Sequence, residues 1–327
     1  MTRPADRPLR VAIDTSPYPV DDPVLSLIGS TPVIDYPEPL AGSLSLKLEK
    51  ANPTGSMKDR IALGMIREME RSGRLTPDDT IVEASSGNTA GAVALVANRL
   101  GYESVITAPE TTSEQKLGYV RLLGSELVTC PPVPADHPEH YRNEAERIAN
   151  GRDAVFLDQY ENQLNPLVHE KWTGPELWNQ LEGLTHVVCP MGTGGTLSGI
   201  GKYLKRQDPS VKIVGVDADG SNISTAFHGE EPVEYDTEIE GLGKEGRTPT
   251  MWFEYVDDVC SVDDETALSH ARMAAREHGL LIGPSSGAAL RVARDIAAEA
   301  EDSAVALIAC DGAEQYFGTL TETGATR

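Results

Sequence analysis

Along the chain, short runs of apolar and β-branched residues alternate with longer stretches in which apolar positions return every three or four residues. The short runs at 46–48, 80–83, 104–107, 126–129, 186–189, 211–216 and 304–308 predict strands. The helical spacing predicts helices near 57–72, 88–100, 113–123, 139–149, 166–181, 196–206, 263–278, 286–300 and 314–320. Regular alternation of this kind predicts an α/β protein, parallel sheet covered by helices. Two stretches break the rhythm and read as loops: 131–138, interrupted by prolines and charge, and 220–249, rich in glycine and acidic residues. There is no internal repeat and no low-complexity segment.

The 327 residues, 39% of them hydrophobic, suffice for one large core or two moderate ones, and two lobes are expected. Acidic residues outnumber basic ones 51 to 28, giving a net charge of -23. A surface of that sign repels nucleic acid and anionic membranes, so neither is an expected partner. The charge is spread along the chain and reads as a solvating surface. Cys130, Cys189, Cys260 and Cys310 form no C-x-x-C pair and suggest neither a zinc site nor a disulfide framework. No metal is called for. With a polar first ten residues and no apolar run near the roughly 18 residues of a membrane span, a cytoplasmic location is expected.

In an open α/β sheet, ligands bind beyond the carboxyl ends of the strands. Four turns in such positions carry candidate chemistry. The first, Asn52-Pro53-Thr54-Gly55-Ser56-Met57-Lys58-Asp59-Arg60, opens a helix. Taken alone it reads as a helix start capped by Ser56, with Lys58 on the surface. Its functional alternative makes Lys58 the amine that condenses with an aldehyde cofactor, since burial and cationic neighbours lower a lysine pKa. The second, Glu83-Ala84-Ser85-Ser86-Gly87-Asn88-Thr89-Ala90-Gly91, is a capped turn or a carboxylate cradle of backbone amides and hydroxyls. The third, Met191-Gly192-Thr193-Gly194-Gly195-Thr196-Leu197-Ser198-Gly199, has the glycines and threonines to wrap an oxyanion at a helix start. It matches neither the dinucleotide fingerprint nor the Walker loop. The fourth, Ile282-Gly283-Pro284-Ser285-Ser286-Gly287, reads alone as a serine helix cap, or as a hydroxyl for a ring nitrogen.

In order and spacing the four turns together resemble the fold-type II pyridoxal-phosphate enzymes, specifically the cysteine synthase and cystathionine β-synthase branch. The resemblance runs from Val24-Leu25-Ser26-Leu27-Ile28-Gly29-Ser30-Thr31-Pro32 to Asp311-Gly312-Ala313-Glu314-Gln315-Tyr316. It implies two doubly wound parallel-sheet domains, tryptophan synthase β-like, with the cofactor between them. These would be residues 52–164, with a part that closes over substrate, and residues 22–51 plus 165–327, preceded by an extension at 1–21. It implies that Lys58 carries pyridoxal 5'-phosphate, that Asn88 meets its ring hydroxyl, that Gly192, Thr193, Gly194, Gly195 and Thr196 bind its phosphate, and that Ser285 faces its pyridine nitrogen. Ser85, Ser86, Gly87, Asn88, Thr89 and Gln159 would grip the substrate carboxylate, and Gly241, in Glu240-Gly241-Leu242-Gly243, would line the substrate entrance. The chain departs from the branch at Ala84-Ser85, where Pro-Thr is usual, and at Ala90, where glycine is usual.

The implied activity is replacement of the β-substituent of serine or an O-activated serine by a thiol or sulfide, through an aminoacrylate. A neutral Ser285 at the ring nitrogen would make a milder electron sink, favouring elimination and replacement over transamination. An amine nucleophile and a serine or threonine dehydratase are the alternatives within the resemblance; a non-catalytic phosphate-binding subunit is the alternative outside it. A homodimer is implied; with no Cys or His before Cys130 and His137, no N-terminal haem region is expected, nor is the tandem regulatory module of some relatives.

Overall fold

The computed structural model describes residues 16–321. Of the extension at 1–21, residues 1–15 lie outside the described residues, as do 322–327 of the C-terminal unit. Strands β1 (Val33–Asp35) and β2 (Ser43–Leu48) come first, then β3 (Thr80–Ala84), β4 (Glu103–Pro109), β5 (Glu126–Cys130) and β6 (Val155–Phe156), then β7 (His186–Pro190), β8 (Lys212–Ala218), β9 (Asp258–Val262) and β10 (Ala304–Ala309). They make two sheets. The larger has the order β1-β2-β10-β7-β8-β9, and the smaller β5-β4-β3-β6. Only the β1–β2 pair is antiparallel; every other neighbour is parallel.

The helices are α1 (Lys58–Arg71), α2 (Asn88–Leu100), α3 (Glu114–Leu122), α4 (Tyr141–Arg152), α5 (Leu164–Val168), α6 (Gly174–Gln180), α7 (Gly195–Gln207), α8 (Ile223–His228), α9 (Asp264–His278), α10 (Pro284–Glu299) and α11 (Phe317–Thr321). They cover both faces of each sheet, which is why the parallel strands read as near-continuous apolar runs. On the larger sheet, Val188 and Leu307 face Ala267, Leu290 and Ala293 of α9 and α10, while Val187 and Ile308 face Leu177, Leu197 and Ile200 of α6 and α7. On the smaller, Val82 and Val105 meet Ile148 and Ala149 of α4. Ile81 and Ile106 meet the α1 and α2 side, a core that Tyr18, Leu25, Val168 and Trp172 join.

Three strands lack a signal in the pattern: β1, β6 and β9 lie at sheet edges, where apolar alternation is not demanded on both faces, and β1 and β6 have only three and two residues. The helix expected over 166–181 is interrupted by a π turn, His169–Thr173, between α5 and α6. That turn is the local irregularity most often tied to function. The 220–249 loop is irregular apart from α8.

Candidate active site

At the carboxyl ends of the parallel strands, the first three turns meet around one cavity of about 260 Å³. It is lined by Lys58, by Ser85, Ser86, Gly87, Asn88 and Thr89, by Gln159 and Tyr160, by Gly192 and Thr193, and by the entrance loop around Gly241. Gly194, Gly195, Thr196 and Ser285 do not line it; the last two are buried at 4% exposure each. A larger cavity, about 640 Å³, lies away from all four turns, between the β9 edge and α10.

In the first turn Met57, not Ser56, is the N-cap of α1, and it carries no side-chain cap bond. Ser56 Oγ accepts from the Lys58 N–H at 3.2 Å one position before that cap, and Asp59 reaches back to the Thr54 N–H at 2.8 Å. Lys58, however, turns inward. Met57 N–H donates to the Cys310 carbonyl at 2.9 Å, which pins the turn over the end of β10. Among the described residues, Lys58 Nζ has neither a hydrogen-bond acceptor nor a carboxylate partner. Burial lowers its pKa, against the pull of Cys310, Cys189 and Asp311, and the Lys244 ammonium lowers it further.

At the second turn no side chain caps the helix: Gly87 is the N-cap, and Ser85 Oγ accepts from its N–H at 3.1 Å. Thr89 Oγ1 donates to Gln159 Oε1 at 2.7 Å, joining residues far apart in sequence across the turn. Asn88 Nδ2 donates to Asp311 Oδ2 at 2.8 Å, and Tyr316 donates to the same oxygen at 2.6 Å. Burial raises the Asp311 pKa, opposed by those two donors. Sequence reasoning used Asp311 and Tyr316 only as the end of a resemblance; it had no signal that they buttress Asn88.

The glycines of the third turn are required by close packing. A Cβ on Gly192 would stand 2.6 Å from the Gly241 carbonyl oxygen, and Gly194 has φ +76° with Met251 where its Cβ would be. Thr193 Oγ1 accepts from Gly195 N–H at 3.3 Å, and its carbonyl accepts from Thr250 at 2.6 Å. The loop is thereby held while the first-turn amides of α7 have no intrahelical partner. Thr196 Oγ1 lies 3.1 Å from His169 Nε2, whose Nδ1 lies 2.8 Å from Thr173 Oγ1. Burial, with Lys58 and Arg60 nearby, holds His169 well below the usual histidine pKa, so the ring is neutral. His169 was missed because its only sequence context is an ordinary helical pattern.

The serine-cap reading of the fourth turn fails: Gly283 is the N-cap of α10, without a side-chain bond, and Ser285 stands inside the first turn. Its neighbour Ser286 accepts from Cys310 N–H at 3.0 Å, while the Ser285 hydroxyl has no hydrogen-bond partner among the described residues.

This set of turns defines a cofactor enzyme of the α/β class, and sequence comparison agrees. The family profile described as "Pyridoxal-phosphate dependent enzyme" matches residues 24–311, and the chain belongs to that family. Its fold is that of the fold-type II members. Cysteine synthase of Staphylococcus aureus (strain N315) is 38% identical over 307 residues, covering 92% of this chain and 96% of that protein. Cystathionine beta-synthase of Apis mellifera is 37% identical over 303 residues, 90% of this chain but 60% of that longer protein. The crystal structure of O-ureido-L-serine synthase superposes with a TM-score of 0.85 at 31% identity, covering 94% of this chain and 98% of that one.

The residues fit pyridoxal phosphate. Lys58 offers an unpartnered amine of lowered pKa, α7 offers free amides behind a loop too tight for side chains, and Asn88 Oδ1 is a buried acceptor without a donor. Among the described residues no group of His, Cys, Asp and Glu could hold a metal, the four cysteines are free, and no helix is long and apolar enough to cross a membrane.

Proposed function

We propose that this enzyme replaces the β-substituent of serine, or of an O-activated serine, with sulfide or a thiol, as a cysteine synthase or cystathionine β-synthase does. The observation that carries the reading is the Lys58 amine, unpartnered and of lowered pKa, in the same cavity as the 85–89 turn and Gln159. Bound pyridoxal phosphate supplies an aldehyde and an electron sink for the substrate's α-carbon. Lys58 Nζ would hold the aldehyde carbon and, once displaced by the incoming amino group, move the substrate's α-proton. The amides and hydroxyls of Ser85, Ser86, Gly87 and Thr89, with Gln159, would hold the α-carboxylate and so fix which bond faces Lys58. Gly192 to Thr196 would anchor the phosphate at the start of α7, and Ser285 would stand at the ring nitrogen.

A nucleophile other than sulfur, an amine included, keeps support from the likeness to O-ureido-L-serine synthase, whose named product is an O-substituted serine. The division at 52–164, with its closing part, belongs to the same proposal, as do a homodimer and a cytoplasmic location. The deciding experiment is mass spectrometry of products from a matrix of donors (serine, O-acetylserine, O-phosphoserine) and acceptors (sulfide, homocysteine, an amine). A new thioether or thiol supports the reading, whereas keto acid alone would make the enzyme a dehydratase. In parallel, Lys58→Ala is expected to lose the borohydride-trapped cofactor adduct and about 100- to 10,000-fold in turnover.

A further inference from the structure

Lys244 stands on the entrance loop and lines the same cavity as Lys58. Its Nζ donates to Tyr160 Oη at 3.1 Å and lies 4.3 Å from the centroid of that ring. No carboxylate pairs with it among the described residues, although the chain carries a net charge of -23. Of the nearby charges, Glu245, the next residue along the chain, makes no ion pair with Lys244, and several others are committed elsewhere. Lys116 is paired with Glu240, and Arg142, 5.7 Å from the Tyr160 ring centroid, is paired with Asp158 at 2.9 Å and Glu161 at 2.7 Å. Glu83, the buried carboxyl on this side, is pushed up to about 8 by burial and is protonated near neutrality. Glu238 sits at the rim, exposed, without pairing to Lys244.

The Tyr160 hydroxyl accepts from Lys244 and shares a hydrogen bond with the Tyr141 hydroxyl. The remaining ammonium protons of Lys244 therefore lack a protein partner among the described residues. A half-buried ammonium without a counterion is costly, and an anionic ligand removes the cost. In the β-replacement reading the α-carboxylate is already held by the 85–89 turn and Gln159. What reaches Lys244 is then the other end of a reactant.

We propose that Lys244, positioned by Tyr160, forms an anion subsite for the charged group that one reactant carries beyond the reacting β-carbon: the phosphate of an O-phosphorylated serine, or the carboxylate of an amino-acid thiol. This rests on the β-replacement reading of the cavity. It is tested on holoenzyme by two specificity ratios, kcat/KM for O-phosphoserine over O-acetylserine and for homocysteine over sulfide. Lys244→Met is expected to lower one of them by about 10- to 100-fold, the scale of a charge-assisted hydrogen bond. The ratio that falls identifies which reactant carries the anion. Tyr160→Phe lowers the same ratio less, and Lys244→Arg restores most of it.

Isothermal titration of inorganic phosphate into the holoenzyme reads the subsite without turnover, and Lys244→Met should weaken that binding by about 10-fold or more. Unmoved ratios together with unchanged phosphate affinity overturn the subsite. Should the wild-type enzyme form no replacement product from any pair, the β-replacement reading fails, and the phosphate titration still decides whether Lys244 holds an anion.

Discussion

Arg60 Nη1 lies 2.9 Å from Glu176 Oε2, and this fully buried ion pair ties the helix that begins at Lys58 to the helix that follows the π turn. Arg60 also reaches Glu49 at 2.7 Å, and Lys47 closes the cluster against Glu176, so two cations and two anions neutralise one another. Thr31 and Gln180 take the remaining hydrogen bonds, and the Trp172 ring stacks 5.1 Å from the guanidinium. The arrangement sets the height of α1, and with it the position of Lys58, relative to the larger sheet.

Removing one partner leaves a charge buried without its counterion. Glu176→Gln should cost about 3–5 kcal/mol, seen as a lower urea midpoint at an unchanged slope. Glu114→Gln, in an exposed pair with Arg121, provides the contrast, with a change below about 1 kcal/mol. A Glu176→Gln midpoint equal to that of the wild type would show that the cluster is not what holds α1.

Glu83 bears on stability in a pH-dependent way. Burial, with Asp158 nearby, raises its folded-state pKa to about 8 from an ordinary value of 4.5. Between those two values the folded protein keeps a proton that the unfolded chain has released, so stability falls as pH rises through this window and is flat outside it. Glu83→Gln removes that slope. Its unfolding free energy relative to wild type should improve from pH 5 to pH 8 by an amount on the order of a few kcal/mol. A parallel pair of stability curves would contradict a neutral Glu83.

His169 connects the π turn to Thr196 through its two ring nitrogens. His169→Phe leaves the Thr196 and Thr173 hydroxyls without that partner and should weaken cofactor binding by about 10-fold. His169→Gln, which can still reach one of them, should lose less. Titration of apoenzyme with pyridoxal phosphate, followed by absorbance, measures both, and a His169→Phe affinity equal to that of the wild type would remove His169 from the proposed phosphate site.

In the proposed role at the ring nitrogen, Ser285 would offer a neutral hydroxyl where a carboxylate would keep a pyridine nitrogen fully protonated. Ser285→Asp should therefore shift products toward transamination and racemisation, detected as pyridoxamine phosphate and D-amino acid by chromatography. An unchanged product spectrum would mean that Ser285 does not govern the electron sink.

The linear order of residues was enough for the layered architecture, because helices and strands of a covered parallel sheet each announce themselves within a window of about a dozen residues. It also singled out Lys58, the 85–89 turn and the glycine loop as candidates, through the order and spacing of the four turns together and not through any one motif. What it lacked were partners distant along the chain. Asn88 and Asp311 are 223 residues apart, Arg60 and Glu176 are 116 apart, and Lys244 and Tyr160 are 84 apart. No periodicity links such pairs; they meet because strands carry their carboxyl ends to one crevice, where desolvation then sets each pKa and leaves Lys244 without a counterion.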